Sequence, residues 1–171
     1  MFQKRLTAAF FERDVLEVAP ELLGKILVRK LPLIGEQRFV ISEVEAYRGE
    51  DDLACHASKG RTPRTEVMYW PGGFVYVYLI YGMHFLLNFV TAGENNPQAV
   101  LIRGVDKVLG PGRVSRLLEI TKDLNKTSLL DSEEIWVEDA PIVTDYQTAP
   151  RVGIDYAGDY WKNQPWRFYI K

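Results

Sequence analysis

The sequence predicts an α+β fold, one domain spanning residues 1–171 on a curved, mostly antiparallel sheet with flanking helices. Two observations carry this. Runs rich in Val, Ile, Tyr and Phe recur along the chain, and few of them are separated by the dozen or more residues that a crossover helix needs. The 171 residues, 47% of them hydrophobic, also suffice for one core and not for several.

Taken in order, Asp14 caps a short helix through Ala19, and Pro20 suits the first turn of a second piece closed by Gly24. ILVRKL (26–31) and QRFVISEVEAY (37–47) read as an antiparallel pair of strands joined by PLIGE. Residues 48–66 form a long polar loop, of the kind that is usually functional or mobile. Residues 74–90 fold as a hairpin with its tight turn at Tyr81-Gly82. QAVLIRGV (98–105) is another strand, and Gly110-Pro111-Gly112 opens a helix that ends near Thr121. IWVED, PRVGI and WRFYIK supply three more short strands.

Composition excludes several functions. With 21 Lys and Arg against 23 Asp and Glu, the net charge of −2 gives no global attraction for a polyanion, so a nucleic-acid footprint has to be local. One cysteine, Cys55, cannot form an internal disulfide, and with His56 and His84 it falls short of a Cys/His zinc set. No metal or cofactor is expected, and the natural setting is a reducing compartment: the cytoplasm, or the nucleus in a eukaryote. The N-terminus mixes charges into its apolar residues, unlike a secretory signal. The apolar run from Phe74 to Val90 has 17 residues, short of the roughly 20 that span a membrane, and is broken by Gly82, His84 and Asn88.

Two features point to chemistry. In a regular strand Phe39, Ile41, Glu43, Glu45 and Tyr47 share one face, which places two carboxylates among apolar neighbours. A desolvated Glu45 would have a raised pKa and suit a general base, whereas a strand end meeting water explains the same spacing without chemistry, and Glu43 fits that second reading. Charge is also segregated. Leu53 to Thr65 has no acid but contains Lys59, Arg61 and Arg64 with Ser58, Thr62 and Thr65, a set able to grip phosphates. Arg103 to Lys126 carries six bases against three acids, with Arg113 beside the helix start. Either segment is equally explained by a solvated face. Tyr76 and Tyr78 project to one side of their strand, as core aromatics do, while Tyr81 at a hairpin tip could wedge into a base stack. His56 alone reads as a structural histidine.

Several blocks, EVEAYRGEDDLACHA, KGRTPR, MYWPGGFVYVYLIYGMHFLLN, AVLIRGV, GPGRV and RVGIDYAG, together resemble the alkyladenine (3-methyladenine) DNA glycosylases of mammals and many bacteria. The similarity spans nearly the whole chain. It implies a β-hairpin that enters the DNA minor groove and a monofunctional enzyme that flips a damaged purine and hydrolyses its N-glycosidic bond. Double-stranded DNA with alkylated or deaminated purines would be the partner of a monomer with no membrane attachment. By this resemblance Glu45 is the general base, and Arg103 lies near the attacking water and the target phosphate. Tyr47, His56 and Tyr78 sandwich the flipped base, and Asn88 helps to exclude undamaged guanine. Tyr81 intercalates with support from Met83, and Lys59, Arg61, Thr62, Arg64 and Arg113 are the expected phosphate contacts. His84 stands where relatives can carry an aromatic ring, a departure that bears on the hairpin. Two other readings compete: a non-catalytic module that only binds damaged DNA, and a domain of similar architecture that binds no nucleic acid.

Overall fold

The computed structural model describes residues 4–171. Its strands are β1 (Ile26–Leu31), β2 (Gly35–Arg48), β3 (Val75–Ile80), β4 (His84–Thr91), β5 (Gln98–Val105), β6 (Val108–Leu109), β7 (Ile135–Glu138), β8 (Gln147–Ala149) and β9 (Arg167–Tyr169). The helices are short: α1 (Ala8–Phe11), α2 (Val15–Leu22), α3 (Pro111–Leu117) and α4 (Asp159–Lys162). The central strand order is β3-β4-β5-β2-β1-β7, with β6 on β5 and with β9 joining β2 to β8. All of these pairings are antiparallel, so the α+β expectation holds.

Alternation along the strands divides the sheet into two chemically different faces. Val75, Val77, Leu87, Phe89, Val100, Ile102, Val44 and Ala46 join Val18 and Leu22 of α2, Val114 of α3 and Leu118 just after it in the main core. The opposite face presents Tyr76 and Tyr78, Asn88, Ala99, and Tyr47, which lie against one pocket.

A β-bulge fixes which carboxylates reach that second face. The β2–β5 register shifts between Ile41 and Val44, so Ile41 packs in the same core as Val44 and Ala46. Ile41 therefore does not share a face with Glu43, Glu45 and Tyr47, as an unbroken alternation predicts. The partner strand permits the bulge at Gly104, where a Cβ would come within 2.9 Å of Ser42 Oγ and 3.0 Å of Glu43 Cβ.

Other segments also differ from the sequence expectation. Helix α2 continues through Pro20, because its buried stripe of Val15, Val18, Ala19 and Leu22 outweighs one missing backbone bond near its end. Helix α3 stops at Leu117 rather than near Thr121. Glu119 takes a left-handed φ of 51°, and the Glu119 and Ile120 amides donate to Arg116 and Ser115 in a Schellman stop. PRVGI is not a strand: its Val152 amide donates to a side chain, and Gln147–Ala149 pairs with β9 instead. Residues 48–66 hold a 3₁₀ turn, His56–Lys59, and bury Asp52, Ala54, Cys55 and Ala57. Among the described residues no helix is long and apolar enough to cross a membrane.

Candidate active site

Glu45 is fully buried near the C-terminal end of β2. Tyr47 Oη donates to its Oε1 at 2.9 Å, and the Val152 amide donates to its Oε2 at 2.6 Å. Each carboxylate oxygen has two lone-pair directions, so both retain capacity for a further donor. Burial pushes the Glu45 carboxyl above the usual range, opposed by the charge of Arg103 and by these two hydrogen bonds. A carboxylate held this way is a stronger base than one in water.

Arg103 projects from β5 with its Nη1 3.8 Å from Glu45 Oε2 and its Nε 3.7 Å from Glu43 Oε2. Neither separation is a hydrogen bond, and Nε is buried with no partner among the described residues. Glu43 is buried too, which overturns its reading as a strand-end residue meeting water. Its Oε1 receives Arg167 Nη1 at 2.8 Å.

Next to these charges lies a pocket lined by Tyr47, Cys55, His56, Met68, Tyr76, Tyr78, Asn88 and Ala99, holding about 240 Å³ with its open mouth included. The His56 and Tyr78 rings meet edge to face with centroids 4.3 Å apart. Tyr47 links pocket and carboxylate, its ring in the wall and its hydroxyl on Glu45. Asn88 spends its Nδ2 on the carbonyls of Tyr76 and Leu86. Desolvation, aided by Arg64, lowers the His56 pKa to about 4, so the imidazole is neutral at physiological pH. Burial likewise raises the Cys55 thiol to about 12, which leaves it unreactive.

Sequence reasoning passed over three supports of this site. Tyr76, read as an ordinary strand aromatic, places its hydroxyl 2.7 Å from His56 Nδ1. Arg151 and Asp52 form a fully buried pair, with contacts of 2.6 and 3.0 Å, and Arg151 also donates to the carbonyls of Ala46 and Trp161. Its guanidinium lies between the Tyr47 and Trp166 rings, 4.9 and 5.0 Å from their centroids. The next residue delivers the amide that Glu45 accepts. Arg167 is the third, through Glu43. Their signal in the sequence was slight, a tyrosine of β3, one acid of three in EDD and single arginines in RVG and RFY, with nothing to show that these segments meet.

Tyr81 and Gly82 take φ values of 52° and 64°, and the Met83 amide closes the turn on the Ile80 carbonyl at 3.0 Å. Both φ values are left-handed, as in a type I′ turn, within a three-residue connection between the paired Ile80 and His84, and tyrosine holds a position that usually favours Asn, Asp or Gly. Tyr81 and Met83 are 86% and 70% exposed, so the strain presents two apolar side chains to solvent. His84 packs on α3, where a Cβ at Gly112 would come within 3.1 Å of its ring.

The basic segment is heterogeneous. Arg61 is held by both oxygens of Glu66 at 2.8 Å and by Asn95, and Thr62 closes a small turn with Thr65. Arg64 is exposed, with its Cζ 5.8 Å from the Tyr78 ring centroid, and Lys59 and Arg113 are also exposed. Among the described residues no three His, Cys, Asp or Glu side chains converge as a metal-binding set.

An aromatic-lined pocket joined by Tyr47 to a desolvated carboxylate suits a hydrolase that takes a planar base. The family description methylpurine-DNA glycosylase (MPG) matches residues 9–109 and 106–171, and the chain belongs to that family. A protein of Methanocella arvoryzae named "Putative 3-methyladenine DNA glycosylase" is 44% identical, covering 95% of this chain and 90% of its own. Proteins of the same name from Legionella pneumophila (strain Corby) and Sodalis glossinidius are each 45% identical, covering 98% and 95% of this chain. The family places the chain among the DNA glycosylases, hydrolases of base-excision repair.

Proposed function

We propose that this protein flips an alkylated or deaminated purine out of duplex DNA and hydrolyses its N-glycosidic bond with a water activated by Glu45, leaving an abasic site. The observation that carries the reading is the connection of a buried carboxylate, through Tyr47, to an aromatic pocket. A base in a duplex shields its sugar from enzyme-held water, so extrusion comes first, at a few kcal/mol that damage reduces. Tyr81 is the wedge, carried on a turn that keeps it in solvent, and Met83 flanks it. Tyr47, His56 and Tyr78 take the extruded ring. A positively charged alkylpurine gains a cation–π contribution of about 0.5–2 kcal/mol there, which a normal purine lacks.

As the glycosidic bond lengthens, the sugar gains oxocarbenium character, and ionised Glu45 stabilises it while accepting a proton from the attacking water. The electron pair of the broken bond leaves with the purine. A cationic purine departs neutral and needs no proton, which suits a His56 that is uncharged above about pH 4. A neutral purine would receive only hydrogen bonds. The pocket lining has no lysine to form a Schiff base, so the strand remains intact. Arg103, with its unused Nε, and exposed Lys59, Arg64 and Arg113 are the cations offered to phosphates, with Arg61 and Thr62 shaping that loop.

Methylated duplex DNA tests the reading. Release of free 3-methyladenine or 7-methylguanine with no strand break is the expected result. Binding without release would leave a damage-recognition module, and no binding to an abasic duplex at low salt would exclude both readings. Tyr81→Asn tests the wedge. Asparagine tolerates the left-handed turn, so the melting temperature should not fall, while excision from duplex should drop more than from single-stranded DNA. Equal losses on the two substrates would remove Tyr81 from the flipping step.

A further inference from the structure

Four charges of alternating sign run across the site face from β9 to β2: Arg167, Glu43, Arg103 and Glu45. The first contact is a closed ion pair at 2.8 Å, whereas the two contacts of Arg103 stand open at 3.7 and 3.8 Å. Arg167 is itself fixed by its Nε on the Pro150 carbonyl, so Glu43 is anchored from outside the site. The bulge beside Gly104 aims Glu43 at this face at all. An arginine this buried normally closes on a carboxylate, and here it is shared between two without closing on either.

We propose that Glu43 is a positioning residue: clamped by Arg167, it holds the Arg103 guanidinium off a closed ion pair with Glu45, which leaves Glu45 open to water and Arg103 open to a phosphate. The inference rests on Glu45 acting as the base. Without Glu43, Arg103 swings onto Glu45, occupies the lone pair that water needs and weakens the carboxylate as a base. Without Arg167, the opposite occurs. Glu43 is freed to close on Arg103 and draw it away from Glu45.

The two variants therefore move the acid limb of the pH–rate profile in opposite directions. The groups facing Glu45 are Glu43 and Tyr47 on its own strand, Arg103 on β5, Tyr78 on β3, Arg151 and the Val152 amide on the segment after β8, and Tyr156 beyond it. All except Glu43 and Arg103 stay in place in both variants. Single-turnover base release from methylated duplex is measured between pH 4 and 9, together with lesion affinity and melting temperature. For Glu43→Gln the expected result is a rate at neutral pH about 10- to 100-fold lower, a lesion affinity reduced by the loss of the Arg103 phosphate contact and an acid limb moved to lower pH. For Arg167→Gln the limb moves to higher pH. Either variant that folds decides the question, and a limb that stays put or moves the other way overturns the proposal, even where the rate falls with stability. If the parent protein releases no base at all, it is the assignment of Glu45 that fails.

Discussion

Glu45→Gln is expected to lower single-turnover base release by about 10²- to 10⁴-fold while raising the melting temperature. The two effects have one origin. The carboxyl is fully buried, and desolvation sets its folded pKa above the unfolded one. The stability it contributes is thus complete below the unfolded pKa and is lost as pH rises through the folded pKa, so at neutral pH its ionised form strains the fold. Glutamine removes that charge at every pH and can still accept from the Val152 amide. The variant's advantage in melting temperature should therefore be largest at neutral pH and shrink as pH falls through the raised pKa. Lesion affinity should persist, because Tyr47, His56 and Tyr78 remain. A variant less stable than its parent at pH 7 would show that Glu45 is held for structure and not for chemistry.

Asp52→Ala should cost about 3–5 kcal/mol of stability, far more than a surface pair would. Removing the carboxylate leaves Arg151 charged and buried, and strips the Arg48 and Ala54 amides of their acceptor. Urea unfolding measures the loss, and adding Arg151→Met should restore much of it, since no unpaired charge then remains. Activity should not return with stability. Arg151 underlies the Tyr47 ring and precedes the amide that binds Glu45, so the double variant should fold and still excise slowly. A loss below about 1 kcal/mol in Asp52→Ala would mean that the pair is not buried in solution.

The sequence made the hairpin and the strands around Glu45 legible because their apolar periodicity is strong and local. Where it misled, the deciding residue was of an unexpected type. Glu119 stops α3 in a conformation that glycine usually marks. The bulge was invisible because Gly104, the residue that makes room for it, lies on the neighbouring strand. The same holds for the site. Glu45, Tyr47 and Arg103 stand in blocks that a resemblance could mark, whereas the partners of Glu43 and Asp52 lie over 90 residues away, and only folding brings them together.

The pH dependence of single-turnover base release, in the parent and in Glu45→Gln, reaches the central claim most directly. On a cationic methylpurine the parent rate should rise through one ionisation placed above the ordinary glutamate range, then stay level to pH 8, since His56 has lost its proton by about pH 4. That rise should vanish in the variant. A rise that survives the substitution, or a parent rate indifferent to pH across this range, would mean that some other group prepares the water.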